Sequence, residues 1–136
     1  MSTTRNTADT PVFQLKVTLE GSKPPIWRRL LIRSDIPLGG LHPIIQAAFG
    51  WQDYHLHQFI VGGTYYGEPH PEYLGYPEMR DEQEVTLGQI ATGKGSKFRY
   101  EYDFGDGWLH QVLVEKLLDP EPGRDYPVFI KGRRAC

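Results

Sequence analysis

A single helical stripe interrupts a chain that is otherwise patterned for strands. In LHPIIQAAF, residues 41–49, apolar residues recur at spacings of three and four, as they do on one face of an α-helix. Pro43 is compatible only with the first turn of such a helix, and Gly50 is a residue type that commonly ends one. The sequence therefore predicts one principal helix, at about residues 41–49.

On both sides of this helix, apolar and polar residues alternate with the period of two that favours β-strands. VFQLKVTLE and IWRRLLIR precede the helix, and YHLHQFIV, TYY, KFRYEYDF and WLHQVLVEKL follow it. TLGQI fits a short helical turn, and VFIK fits a last short strand. The order β-β-α-β-β-turn-β-β predicts an α+β fold, in which a mainly antiparallel sheet packs on one helix inserted after the first two strands.

A length of 136 residues suits one domain with a sizeable core. The polar, threonine-rich residues 1–11 are predicted to be a disordered lead, followed by a single domain over residues 12–136. The alternation and the helical stripe nominate the following core residues: Phe13, Leu15, Val17, Leu31, Leu41, Ile44, Ile45, Ala48, Phe49, Tyr102 and Leu113.

The charge and the apolar runs restrict the classes of partner. The net charge of −2 gives no general electrostatic attraction to nucleic acid or to an anionic membrane. No run approaches the ~20 apolar residues of a membrane span, and the N-terminus lacks the apolar region of a secretory signal. Cys136 is the sole cysteine, so no internal disulfide forms. We expect a cytoplasmic protein with no membrane contact.

The stretch YEYDFGDGWLHQV, residues 100–112, concentrates the residue types that carry chemistry. If Asp106 and Gly107 form a two-residue type I′ turn, Gly107 has a positive φ and Asp103 lies directly opposite His110. A three-residue loop would instead place His110 opposite Tyr102. Either turn explains this stretch as a hairpin without a catalytic role.

A second group of candidates gives an alternative in which the domain binds metal. His55 and His57 alternate in a strand and so share a face, and Asp103 or His110 would supply a third ligand from a neighbouring strand. Such a set suits a divalent metal in a metal-dependent hydrolase or nuclease. The sequence has no HExxH motif, paired cysteines, nucleophile elbow or P-loop. We therefore favour a non-enzymatic function without a cofactor.

Two surfaces are candidates for binding. The Pro-, Gly- and Glu-rich loop at 67–84 and the hairpin are expected to border an aromatic cleft that binds a protein partner. The residues nominated for this surface are Trp27, Trp51, Tyr54, Asp106 and Trp108.

A basic strand offers a further binding hypothesis, for nucleic acid. Arg28, Arg29 and Arg33 follow Trp27 in WRRLLIR, and basic residues near an aromatic one can contact phosphates and stack a base. The same residues fit a solvated edge strand protected by charge. The many glutamates of the 67–84 loop oppose attraction to nucleic acid, so only weak binding is expected.

Three segments, PPIWRRLLI, LHPIIQAAFGWQDYHLHQF and FRYEYDFGDGWLHQV, occur here in an order and spacing that resemble the plasmid pRiA-type ORF-three-like family, also known as transposable-element passenger proteins. The resemblance spans about residue 12 to the C-terminus and implies a compact α+β domain of prokaryotes and their plasmids. It does not imply recombinase chemistry. Family members commonly continue to a second cysteine, whereas this chain ends at Cys136, so no cysteine site is carried over.

The residues and the resemblance together favour an interaction or regulatory module associated with plasmid or mobile-element DNA, with a protein partner of unknown identity. A metal-dependent hydrolase or nuclease is the first alternative. A weak nucleic-acid-binding domain is the second.

Overall fold

Eight strands and one main helix make up the part of the chain that the structure describes. The computed structural model describes residues 10–52, 56–68, 79–103 and 107–133. The elements are β1 (Val12–Leu19), β2 (Ile26–Arg33), a 3-10 turn (Leu38–Gly40), α1 (Leu41–Phe49), β3 (His57–Val61), β4 (Thr64–Gly67), β5 (Met79–Asp81), α2 (Leu87–Ile90), β6 (Lys97–Tyr102), β7 (Trp108–Leu118) and β8 (Val128–Arg133).

All of these strands belong to one sheet, in the order β5-β4-β3-β6-β7-β1-β2-β8. The β4–β5 pair is parallel, and the remaining neighbours are antiparallel. The predicted α+β class with one principal helix is confirmed. The mainly antiparallel sheet of simple order is not, because the sheet is mixed and contains β5. That strand has only 3 residues and lies in a segment without a period of two, so the sequence pattern did not indicate it.

Helix α1 has the predicted bounds, and its ends follow from its sequence. Pro43 is its third residue, where its missing N–H costs no intrahelical bond. Gly50 follows the helix at a φ of 75°, in the left-handed region that glycine adopts without steric cost. The Trp51 N–H then donates to the Gln46 carbonyl at 2.9 Å, which closes the last turn.

The helix packs on one face of the sheet, and the core lies between them. Most of the nominated core residues are buried, whereas Ile44, Ala48 and Leu113 are only half-buried. The prediction missed a set of equally buried residues: Leu30, Ile32, Leu38, Phe59, Leu87, Phe98, Tyr100, Val112 and Val114. Many of these continue the alternation of the central strands. The nominated Leu31 and Leu113 lie on the opposite face, where they pair with Gln14 and Lys16 of β1.

The opposite face of the sheet carries mainly polar side chains. Gln14, Lys16 and Thr18 alternate with the buried residues of β1 and are half-buried.

At the start of β1, Thr10 is buried and the Pro11 carbonyl accepts from the backbone and hydroxyl of Ser34. Residues 1–9 of the predicted lead lie outside the described residues.

The short helix α2 confirms the helical turn predicted in TLGQI. Its N-cap is Thr86, whose hydroxyl accepts from the Gln89 backbone while the Gln89 side chain accepts from the Thr86 backbone. This reciprocal capping box satisfies two N–H groups that a helix start leaves unpaired. Neither α2 nor any other helix among the described residues is long and apolar enough to cross a membrane.

Candidate functional site

The β6–β7 hairpin has a different register from either predicted one. Tyr102 pairs with Trp108, and Tyr100 pairs with His110. The prediction that Asp103 lies opposite His110 is therefore wrong, because the connection between the paired strands is five residues long rather than two. Gly107 has the predicted positive φ, 67°, and Asp103 has one as well, 61°. The Gly107 N–H donates to the Asp103 carbonyl at 2.6 Å and closes the loop. Asp106 lies outside the described residues.

Three aromatic side chains meet beside this hairpin, and we call them the aromatic surface: Trp51, Tyr102 and Trp108. The Trp51 ring centroid is 5.5 Å from both the Tyr102 and the Trp108 ring centroids. Tyr102 is buried, Trp51 is half-buried, and Trp108 is 39% exposed. The structure thus brings together two of the five residues nominated for partner binding. Tyr54 lies outside the described residues.

Trp27 is not part of the aromatic surface. It lies opposite Thr18 on β1, on the polar face of the sheet, whereas Trp108 follows the alternation of the core face. The Lys16 ammonium and the Arg29 guanidinium lie 4.8 Å and 4.7 Å from the Trp27 ring centroid. Trp27 therefore packs with cations on the far side of the sheet.

Beneath the aromatic surface, His110 is fully buried. Its Nδ1 donates to the Tyr100 carbonyl at 3.2 Å, which leaves Nε2 as the hydrogen-bond acceptor of a neutral ring. Burial lowers the pKa of His110 to about 4, against the opposing effect of the Tyr100 and Trp108 backbone. Among the described residues, neither His110 Nε2 nor the buried indole Nε1 of Trp51 has a hydrogen-bond partner.

A polar network continues from His110 through the core to the far end of α1. Gln46 Nε2 donates to the Tyr100 hydroxyl at 2.8 Å, and that hydroxyl lies 2.6 Å from His42 Nδ1. A hydroxyl has one proton, so the arrangement that satisfies all three groups has Tyr100 donating to His42. His42 stacks on His57, with ring centroids 3.5 Å apart and planes 7° from parallel.

His57 ends this network at Glu82. Its Nε2 lies 2.8 Å from Glu82 Oε1, and both side chains are buried, with 4% and 2% exposure. Glu82 is thus a buried carboxylate that meets an imidazole, and burial of a carboxylate without such a partner is costly.

Of the metal ligands predicted from the sequence, His57 belongs to the group that converges in the described parts of the chain. Within the described parts of the chain, the group whose ligand atoms could hold one ion is His57, Glu68 and Glu82. Of the predicted set, that group contains His57 and neither Asp103 nor His110. His55 lies outside the described residues, so its part in the prediction stays open.

The three arginines nominated for nucleic-acid contact have partners within the domain. Arg29 forms a bidentate ion pair with Glu115, with Nε to Oε1 at 2.7 Å and Nη2 to Oε2 at 2.9 Å. This pairing holds the pKa of the Glu115 carboxyl below its usual value. Arg33 pairs with Asp35 at 3.1 Å. Arg28 donates to the carbonyl of Ala48 at 2.7 Å, close to the C-terminal end of α1, where the helix dipole attracts a cation. Nucleic-acid binding stays an untested prediction.

Comparison with known proteins now places the domain. The sequence profile of the family described as plasmid pRiA4b ORF-3-like protein matches residues 11–136, which is almost the whole chain. The chain belongs to this family. The resemblance seen in the three sequence segments is confirmed.

One curated relative of this plasmid pRiA4b ORF-3-like domain is the uncharacterized protein y4hQ of Sinorhizobium fredii (strain NBRC 101917 / NGR234). The two are 36% identical over 126 residues, which cover 92% of this chain and 63% of that protein. The chain therefore spans less than two thirds of the length of this relative.

A solved structure also resembles the domain. The crystal structure of the protein of unknown function MM3350 from Methanosarcina mazei Go1 matches it with a TM-score of 0.80 and 30% identity, over 96% of this chain and 74% of that chain. The likeness extends over nearly the whole fold described above.

Several residues of the buried polar network were not predicted from the sequence. His42 and Gln46 are i and i+4 on α1, and both are buried polar residues on the core side of a helix. That placement is a signal the sequence does carry, since polar residues among the apolar positions of an amphipathic helix need partners. Glu82 gave no such signal, because it is one of several glutamates in a segment without periodicity.

Proposed function

We propose that this domain is a protein-interaction module encoded, as a passenger protein, by plasmid or mobile-element DNA. We propose that it binds a peptide segment of a partner protein at the aromatic surface. The observation that carries the proposal is the exposed Trp108, which contacts Trp51 with its ring tilted by 40°, above two buried polar atoms that lack partners among the described residues. Exposed tryptophans are among the residues that most often dominate protein binding.

The two buried atoms favour a peptide as the ligand. Trp51 Nε1 is a hydrogen-bond donor, and His110 Nε2 is an acceptor because Nδ1 carries the proton. An amide group offers the complement of both, a carbonyl for the indole and an N–H for the imidazole. Leaving a buried polar atom unpaired costs about 1–3 kcal/mol. Both atoms are buried in the unbound domain, so a peptide gains this relief where the aromatic side chains rearrange to admit its amide group.

The test is selection of short peptides from a random display library on the purified domain, followed by measurement of their affinities for variants. Trp108→Ala should weaken binding about tenfold or more, because a hot-spot tryptophan contributes more than 1.4 kcal/mol. His110→Phe keeps a ring at the same place and removes the acceptor, so it should weaken binding as well. Circular dichroism checks that both variants are folded.

The matched control is Phe129→Ala, which removes an aromatic side chain that is 52% exposed on β8, three strands from β7 in the sheet. This variant should bind the selected peptides like the wild type. The proposal fails if Trp108→Ala retains full affinity, if Phe129→Ala loses it instead, or if no peptide is enriched over an unrelated domain.

A further inference from the structure

We propose that His57, Glu68 and Glu82 form a zinc site in this domain, independent of the aromatic surface. Each residue offers one ligand atom, an imidazole nitrogen or a carboxylate oxygen, and these atoms all lie within 4.8 Å of one another. His57 Nε2 and Glu82 Oε1 are already 2.8 Å apart. An ion with bonds of about 2.0–2.2 Å holds ligand atoms at most about 4.4 Å apart, so the side chains of this group would adjust to close on it.

The charges of the cluster favour a cation. Glu82 is almost fully buried, and the second carboxylate, Glu68, converges on the same position. One imidazole can pair with only one of these carboxylates, and two carboxylate groups that converge on one position repel each other. A divalent ion between them neutralises both and removes that repulsion.

The backbone holds two of the ligands in position. The Glu82 N–H donates to the carbonyl of Gly67, the residue before Glu68, at 3.0 Å, and the Glu82 carbonyl accepts from the Gly39 N–H at 3.0 Å. Glycine at position 39 permits this close approach, since an added Cβ would lie 2.8 Å from Glu82 Cγ and one of the two would have to shift. Glu68 and Glu82 are therefore brought together by one strand-end hydrogen bond.

The ring of His57 is also oriented before any ion binds. His42 stacks on it in parallel, and His42 is in turn held through Tyr100 by the hydrogen bond described above. Supporting residues that fix the ring of a metal-binding histidine are typical of metal sites. The ion would displace the hydrogen bond between His57 and Glu82 and take both atoms as ligands.

The donor set favours zinc. One imidazole nitrogen and two carboxylate oxygens are ligand types that Zn²⁺ accepts, and three protein ligands leave a fourth position for water. Glu68 is exposed, so the site has a route from solvent on that side. His57 and Glu82 close the opposite side, because both are buried.

The experiment measures zinc binding to the full chain after removal of metal by a chelator. Isothermal titration with zinc chloride should give one site per chain, and zinc should raise the Tm, as any ligand of the folded state does. Glu68→Gln should lower the affinity at least tenfold and leave the Tm of the metal-free protein unchanged, because Glu68 is exposed. Glu82→Gln keeps a hydrogen-bonding group beside His57 and should also lower the affinity at least tenfold.

Two control variants separate this site from other ligands of the chain. Glu84→Gln removes an exposed glutamate that is outside the cluster, and Cys136→Ser removes the only thiol. Both should bind zinc like the wild type, and so should Trp108→Ala, which tests the separate peptide site. Absence of zinc binding overturns the proposal, as does zinc binding that Glu68→Gln leaves unchanged or that Cys136→Ser abolishes. A lower Tm of Glu82→Gln together with unchanged zinc affinity overturns it too, because that result assigns the His57–Glu82 contact a purely structural role.

Discussion

Replacing His110 by glutamine should change how the stability of this domain depends on pH. His110 is fully buried, and its pKa is lowered from 6.5 to about 4 in the folded protein. In the unfolded chain the ring protonates near its ordinary pKa of 6.5. As pH falls below 6.5, the unfolded state gains a proton that the folded state does not bind, so the folded state loses stability until the pH approaches 4.

The size of this loss follows from the difference between the two pKa values. A change from 6.5 to about 4 corresponds to roughly 3 kcal/mol of unfolding free energy. The stability is fully present above pH 6.5, and it is lost as the pH falls to about 4. Glutamine does not titrate, so the variant lacks this component. Glu115, whose pKa is lowered by Arg29, titrates in both proteins and cancels in the comparison.

The assay is urea unfolding of the wild type and of His110→Gln at a series of pH values from about 7.5 to 4. The difference between the two unfolding free energies should change by roughly 3 kcal/mol over this range. At low pH the wild type loses this amount relative to the variant. A direct NMR titration of the His110 ring in the folded protein should not reach its midpoint until about pH 4. A difference that is constant across the pH range, or a ring that titrates near 6.5, would refute the reasoning that burial keeps this imidazole neutral.

Three further outcomes are expected. Ile45→Ala should lower the unfolding free energy by about 2–5 kcal/mol, because Ile45 is fully buried under the sheet; a urea midpoint that hardly moves would contradict its place in the core. Tyr100→Phe should cost about 1–3 kcal/mol in the same assay, since it leaves His42 Nδ1 and Gln46 Nε2 without their shared hydroxyl; equal stability would mean that this hydroxyl is replaceable. In fluorescence anisotropy with duplex DNA at physiological salt, we expect no Kd below the non-specific range of roughly 10⁻⁴–10⁻⁶ M. Arg29→Ala should weaken any binding that is seen and reduce the dependence of its Kd on salt. A tight complex would contradict the expectation of weak binding.

The sequence predicts local features of this fold well, because short-range spacing causes them. The helix at 41–49, its end at Gly50 and the capped turn after Thr86 each depend on residues within one or two helical turns. The alternation of the central strands depends on neighbours two residues apart. In all of these cases the side chains that determine the structure are also the ones that are adjacent in the chain.

The register of the hairpin shows where this reasoning fails. Asp106–Gly107 suits a two-residue turn, yet the strands separate earlier, after Tyr102. Tyr102 and Trp108 pair on the core side, where both rings contact Trp51. The packing of these three aromatic side chains involves a residue about fifty positions away, so no local turn preference encodes it.

The buried polar network is harder still to predict, and its position bears on both proposals. From the aromatic surface, His110 contacts Tyr100, Tyr100 hydrogen-bonds to His42, His42 stacks on His57, and His57 meets Glu82. An apolar row would stabilise the core without the cost of desolvating these groups. At one end of the network, His110 Nε2 has no hydrogen-bond partner among the described residues, and at the other end the ligand atoms of the proposed zinc site converge. A mutation in its middle, such as Tyr100→Phe, removes a hydrogen bond that orients His42 against His57 without touching Glu68 or Glu82. If the network serves the zinc site, this change should lower zinc affinity as well as stability, and unaltered zinc affinity would show that the two ends of the row act separately.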